Sequence, residues 1–286
     1  MSAGALPFVD AHVHFWDAAR RPYPWLAEVP AIAGPHTPVE MAAEAGADFP
    51  QAIVFVESAI APEHALDEVA WVEALAARAP RIAAIVAQVA VDRGAETERA
   101  LAALAPHPRL RGVRHIIQAH PEPDYCVRPA FVDGVRRVGA RGWTFDVCVG
   151  HAQLPASAAL ARACPETTFV LDHAGKPDVR RGARDPWRAD LARLAELPNV
   201  VCKLSGLVTE ADPATWTAEA LRPYVAHLLS CFGPERLLFG SDWPVVKLAA
   251  DYRRWLAAAR ALLAPLPDGA RAAIFSDNAR RIYRLP

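Results

Sequence analysis

Two histidines one residue apart, His12 and His14, lie with Asp10 in the apolar run Phe8–Phe15. In an extended strand the side-chain period of two puts both imidazoles on one face, roughly 7 Å apart at Cα. At that spacing they can converge on one ion or one substrate oxygen. A pair of hydrogen-bonded core histidines would give the same pattern, so two later segments decide the reading. Phe169-Val170-Leu171-Asp172-His173-Ala174-Gly175-Lys176-Pro177 and Phe239-Gly240-Ser241-Asp242-Trp243-Pro244 are each an apolar run that breaks into polar residues and stops at a proline. A buried Asp or His is costly without a partner. His12, His14, His173 and Asp242 brought to one place would therefore serve each other and a ligand.

The elements needed to bring them together can be counted. Short β-branched or aromatic runs occupy Phe8–Phe15, Ala52–Ser58, Ile82–Val89, Leu110–Ile117, Gly142–Val149, Thr168–His173, Val200–Leu207 and Leu237–Asp242. Most are continuously apolar, as parallel strands buried on both faces require. Helical segments separate them. Thr37-Pro38-Val39-Glu40 is a capping box with proline at the first helical position, and Asp185-Pro186 repeats the cap-then-proline order before a helix over Trp187–Leu197. Leu66, Val69, Val72 and Leu75 form an apolar stripe at helical spacing. Helices over Tyr252–Ala264 and through Ile282 close the chain. Eight β-α units of roughly 30 residues predict an α/β fold, a single (β/α)₈ TIM barrel over residues 1–286. A doubly wound sheet has fewer strands and a phosphate-binding first turn; G-x-G-x-x-G, the P-loop and G-x-S-x-G motifs are all absent from the sequence.

In a barrel the reactive groups gather at the carboxyl ends of the strands. There the sequence also offers Glu57, Gln88, Arg114, Asp146 and Lys203 as polar contacts for a substrate, with Asp172, His115 and Ser205 beside them. Arg114 suits a carboxylate or a lactone carbonyl, or alternatively an ion pair with Asp146. The three lysines, Lys176, Lys203 and Lys247, all fall at or after the ends of the last three strands. For Lys247 an ordinary solvated side chain is the simpler reading. The Pro- and Trp-rich stretch from Trp16 to His36 is expected to form part of the rim.

Composition narrows the class. Hydrophobic residues make up 53% of 286, enough for a sizeable core, and 31 basic against 32 acidic residues leave a net charge of -1. No basic stripe marks a nucleic-acid or membrane partner. The odd set Cys126, Cys148, Cys164, Cys202 and Cys231 has no C-x-x-C pair, which favours buried free thiols over a disulfide framework or zinc ribbon. Met1–Leu6 lacks the marks of a signal peptide, and no apolar run has membrane-spanning length. The expected location is the cytoplasm; a homo-oligomer is compatible with the sequence.

These segments resemble the metal-dependent-hydrolase-like amidohydrolase family 2, and within it the sugar-lactonase branch of fuconolactonase-like, rhamnonolactonase-like and pyrone-dicarboxylate lactonase-like enzymes. The resemblance is carried by Asp10-Ala11-His12-Val13-His14-Phe15-Trp16-Asp17, Leu171–Pro177, Cys202-Lys203-Leu204-Ser205-Gly206-Leu207, Gly240–Pro244 and the closing Asn278–Leu285. It implies that Asp242 is a general base, with His12, His14 and His173 around the attacking water or the carbonyl and Arg114 on the substrate. Binuclear members of the wider superfamily carry a lysine or glutamate on strand four and a histidine ending strand five. Here those places hold Arg114 and Asp146, with His151 in the following loop, so a two-metal centre is not expected. The branch implies catalysis either with no strictly required cofactor or with one divalent ion, zinc or manganese, on His12, His14, His173 and Asp242. The implied substrate is a small sugar lactone, opened by water. Rival readings are a metal-dependent hydrolase or decarboxylase of an aromatic or unsaturated acid on the same barrel, and a non-catalytic barrel that binds a sugar acid.

Overall fold

The computed structural model describes residues 7–286; Met1–Leu6, where signal-peptide features were sought, lie outside the described residues. Eight strands form one sheet in sequence order: β1 (Val9–Val13), β2 (Ala52–Val56), β3 (Ile82–Gln88), β4 (Leu110–Ile116), β5 (Thr144–Cys148), β6 (Phe169–Leu171), β7 (Val200–Leu204) and β8 (Leu237–Phe239). Every neighbouring pair is parallel. The first and last strands meet beyond their ends. Val13 bridges Trp243, the His14 N–H donates to the Trp243 carbonyl at 2.7 Å, and the Asp242 N–H donates to the His12 carbonyl at 2.9 Å. This is the expected TIM barrel. No helix among the described residues is long and apolar enough to cross a membrane.

All eight expected strands are present, and each is shorter at its carboxyl end. His173 and Asp242 stand just past β6 and β8, in turns with φ of 53° and 61°, because the chain leaves the ladder where its polar residues begin. The Thr37 capping box forms on helix α1 (Pro38–Ala45), with both reciprocal bonds present. Helix α2 (Ala65–Ala76) is rotated from expectation: Val69, Val72 and Ala76 are buried whereas Leu66 is exposed. The helix over Trp187–Ala195 takes Pro186 as its N-cap, without a side-chain bond from Asp185. Helices over Tyr252–Leu263 and Asn278–Ile282 follow β8, the second preceded by a π-helical turn at Ala273–Asp277.

Apolar packing is continuous between strands and helices, and a separate cluster fills the barrel interior, where Val9, Ala11, Val54, Val56, Val86, Val170, Val201 and Leu238 meet Tyr283 from the C-terminus. Burying a side chain of this size contributes about 1.5–3 kcal/mol. The rim segment from Trp16 to His36 is pinned by an antiparallel bridge between its ends. Its Trp16, Tyr23, Leu26 and Ile32 pack with Ile60, and the Trp25 indole N–H donates to the Ser58 carbonyl at 2.8 Å.

Candidate active site

A register irregularity in β1 between Asp10 and Val13 sets up the site. Before it, Val9 and Ala11 face the barrel interior; after it, His12 and His14 do. An extra residue in one strand shifts the alternation in this way. Asp10 therefore does not share the histidines' face. It accepts from the Ser241 N–H at 2.8 Å and the Tyr252 hydroxyl at 3.3 Å, and burial pushes its carboxyl up to about 7.

His12, His14, His173 and Asp242 converge. The Oδ1 of Asp242 lies 3.3 Å from His14 Nε2, 3.7 Å from His12 Nε2 and 4.0 Å from His173 Nε2. No hydrogen bond or ion pair among the described residues engages its Oδ2. Burial pushes the Asp242 carboxyl up, but the His173 and His14 neighbours outweigh it and hold the group below the usual carboxylate range. Burial, only partly offset by Asp242, lowers His173 to about 4, and burial with the nearby Lys203 charge lowers His12. Both imidazoles are neutral at pH 7. Two glycines permit this crowding: a Cβ on Gly206 would meet His173 Cβ and Cγ at 2.6 Å, and one on Gly240 would meet His12 Cβ at 2.7 Å.

Each imidazole is held by its far nitrogen. His14 Nδ1–H donates to the Val56 carbonyl at 2.8 Å, so its Nε2 accepts. His12 Nε2 lies 3.1 Å from that acceptor, and His12 Nδ1 lies 3.0 Å from Lys203 Nζ. A chain of donors from Lys203 through His12 to His14 satisfies all three. His173 Nδ1 shares a hydrogen bond with Ser205 Oγ at 2.9 Å. Such anchoring fixes the orientation of ligand histidines in metal sites.

The donor set also fits a divalent ion. One atom each from His12, His173 and Asp242 lie within 4.8 Å of one another, and nitrogen with carboxylate oxygen suits zinc. Freeing His12 Nε2 requires its proton to move to Nδ1 and the Lys203 ammonium to release that nitrogen. There Asp172 Oδ1 waits at 3.3 Å, a buried atom with no well-directed hydrogen bond although Lys203 Nζ is 3.0 Å away.

The remaining predicted residues divide. A cavity of about 310 Å³ at the mouth is lined by His14, Arg114, His173, Lys176, Glu210 and Asp242, among others, at the small end of the range for ligand pockets. Asp146 and Lys203 do not reach it. They lie fully buried beneath, paired at 2.6 Å, with the Tyr283 hydroxyl donating to Asp146 at 2.9 Å. Glu57 and Gln88 line a neighbouring cavity. Arg114 does line the mouth, but its Nε donates to Glu57 at 2.6 Å, one Nη to Asp172 at 3.1 Å and the other to the Glu57 carbonyl at 2.7 Å. Its partners are thus Glu57 and Asp172 rather than Asp146. His151 sits in the short helical turn after β5, against the Lys176 carbonyl. Lys247 pairs with Glu44 at 3.5 Å.

Sequence reading did not single out Glu210 or Gln118 on the cavity wall. Both belong to connections, where no strand periodicity announces a direction.

A model of the amidohydrolase family matches residues 9–285. An L-fucono-1,5-lactonase of Burkholderia ambifaria is 35% identical over 288 residues, covering 97% of this chain and 95% of that protein. An L-fucono-1,5-lactonase of Burkholderia multivorans is 36% identical, covering 97% and 96% respectively. The crystal structure of an amidohydrolase from Burkholderia multivorans with bound zinc superposes with a TM-score of 0.87 at 36% identity, over 98% of this chain and 100% of that one. With a family match from residue 9 to residue 285 and relatives similar along their whole length, the chain belongs to the amidohydrolase family.

Proposed function

We propose that this protein is a lactonase that opens a small sugar lactone, of the L-fucono-1,5-lactone type, by attack of water on the ring carbonyl. The observation that carries the reading is the Asp242 carboxylate. One of its oxygens is ringed by three imidazoles and the other makes no hydrogen bond to any described residue, on the wall of a cavity sized for a small ring. The 35–36% identity to two L-fucono-1,5-lactonases supports the substrate class. One domain over residues 1–286 carries the activity, and the free cysteines suit a cytoplasmic setting.

His12, His173 and Asp242, with the predicted fourth ligand His14 beside them but outside that close group, would hold a single divalent ion, which when bound lowers the pKa of a coordinated water toward about 7. The chain's own residues do the rest. Asp242, ionised and close to the histidines, takes a proton from the attacking water through Oδ2 as the carbon–oxygen bond forms. It then returns that proton to the ring oxygen as the ring bond breaks, leaving a hydroxy acid. Asp146 and Lys203 act from beneath, and Arg114 from the edge of the cavity, by holding Asp172 and His12 in place. The open cavity wall and the Trp25 rim admit the sugar hydroxyls.

A pH-indicator assay over aldono-1,5- and 1,4-lactones, pyrone acids and muconolactones, run with and without chelator and with added zinc or manganese, tests the reading. Turnover of an aldonolactone is expected. Turnover confined to the pyrone or muconolactone acids, or to none, would overturn it.

A further inference from the structure

We propose that Lys176, rather than Arg114, supplies the positive charge that meets the carbonyl oxygen during lactone opening; this rests on the lactonase reading above. Both residues line the cavity, but their surroundings differ. The Arg114 guanidinium lies between two buried carboxylates, Glu57 at 2.6 Å and Asp172 at 3.1 Å. One positive charge shared by two negative ones leaves little field for a third oxygen. Its Nε, one Nη1 hydrogen and one Nη2 hydrogen are already committed to protein acceptors.

Lys176 forms an ion pair with Glu210, whose Oε1 is 3.6 Å from Nζ, beyond hydrogen-bonding distance; Asp242, the other carboxylate on the cavity wall that acts on its charge, forms no ion pair with it. The ammonium makes no hydrogen bond to any described residue. Burial disfavours its charge, but Cys148, Glu210 and Asp242 outweigh that effect and keep it protonated.

The backbone commits the residue to this position. His173, Ala174, Gly175 and Lys176 all have φ between 50° and 68°, a conformation that costs a non-glycine residue about 1 kcal/mol or more. The Lys176 N–H donates to the His173 carbonyl at 2.8 Å, and its own carbonyl accepts from His151 Nδ1 at 3.1 Å. A strained turn held from both sides places His173 and Lys176 on one cavity wall. Strain that persists at a site is part of how the site is built.

The step balances without further reagents. The water oxygen bonds to the carbonyl carbon, its proton goes to Asp242, and the electron pair displaced onto the carbonyl oxygen faces the ammonium. Collapse breaks the ring carbon–oxygen bond, and the ring oxygen takes the proton back from Asp242. Lys176 keeps its own proton throughout.

Lys176→Asn and Lys176→Gly test this, because both residues accept the left-handed turn. With L-fucono-1,5-lactone, each is expected to lower kcat about 100-fold or more while KM moves less than about threefold. Ethylammonium should restore part of the rate to the glycine variant and none to wild type. A kcat within about fivefold of wild type in either variant would overturn the proposal, as would a loss that ethylammonium does not restore in a glycine variant of unchanged Tm. Calorimetric titration with sodium L-fuconate separates this from the parent reading. If wild type opens no lactone, the parent reading fails by itself. Lys176 is then judged by whether the asparagine variant binds fuconate at least tenfold more weakly; equal affinity, or no binding to either protein, counts against it.

Discussion

In the lower of two polar layers at the barrel mouth, Lys203, Asp146, Asp172, Arg114, Glu57 and Tyr283 largely satisfy one another, and of these six Arg114 alone also reaches the cavity above. In the upper layer His14, His173, Asp242 and Lys176 border a cavity, and two of its groups make no hydrogen bond to any described residue: Oδ2 of Asp242 and the ammonium of Lys176, whose ion pair with Glu210 spans 3.6 Å. Both layers are dense in ionisable side chains, and both would score alike on residue type. They differ in valence left over. A buried charge whose bonds are complete stabilises a geometry, whereas one with a bond to spare on a cavity wall can act on something that enters. The lower layer positions His12 through Lys203 and Asp172; in the proposed reaction the upper layer would meet the substrate.

The sharpest way to break this division is Asp242→Asn. It removes the proton acceptor with almost no change in volume, so kcat should fall about 10³-fold with Tm close to wild type. Stopped-flow or pH-indicator rates together with a thermal melt read both quantities. A variant that keeps most of its kcat would move Asp242 out of the reacting layer.

Lys203→Met is the mirror experiment. It leaves Asp146 and Asp172 buried without their shared cation, and breaking a buried pair in this way costs about 3–5 kcal/mol. Denaturant unfolding should show that loss. If Lys203→Met is as stable as wild type but inactive, Lys203 belongs with the substrate after all.

Ser205→Ala probes the seam between the layers, since the Ser205 hydroxyl is hydrogen-bonded to the far side of His173. Loss of such an anchor typically costs about 10–100-fold in activity or metal affinity. Rates and a zinc titration should move together by that factor; an unchanged enzyme would show that His173 needs no help to face Asp242.

The smallest effect is a pH slope in stability. His173 is held at about 4 when folded against 6.5 unfolded. Between these values the unfolded chain binds a proton that the folded one refuses, so the stabilisation is complete above 6.5 and is lost as pH falls toward 4. One proton is worth at most about 1.4 kcal/mol per pH unit. In chelator-treated protein, wild type minus His173→Asn should show this sign across pH 6.5 to 4. Asp10, raised to about 7 by burial, pushes the opposite way, so only the difference between the two proteins is diagnostic.

Strand number and order, and the convergence of His12, His14, His173 and Asp242, were legible in the chain because buried parallel strands must be apolar. Polar residues at their ends therefore stand out. Local signals also worked where a cap closes within four residues, as at Thr37 and Glu40. Periodicity could not reveal the irregularity in β1 that separates Asp10 from the histidines, since that depends on pairing with β2. Nor could it show which polar strand ends finish in the sealed layer and which on the cavity wall. Arg114 on β4 and Asp146 on β5 stand side by side in register, yet only Arg114 reaches the cavity. That outcome depends on side-chain length and on partners such as Glu57, Asp172 and Tyr283, the last 137 positions from Asp146 in sequence. Residue type and strand position were thus set by the order of amino acids alone, whereas the assignment of each charge to holding or to reacting was made only when distant segments came into contact and used up its bonds.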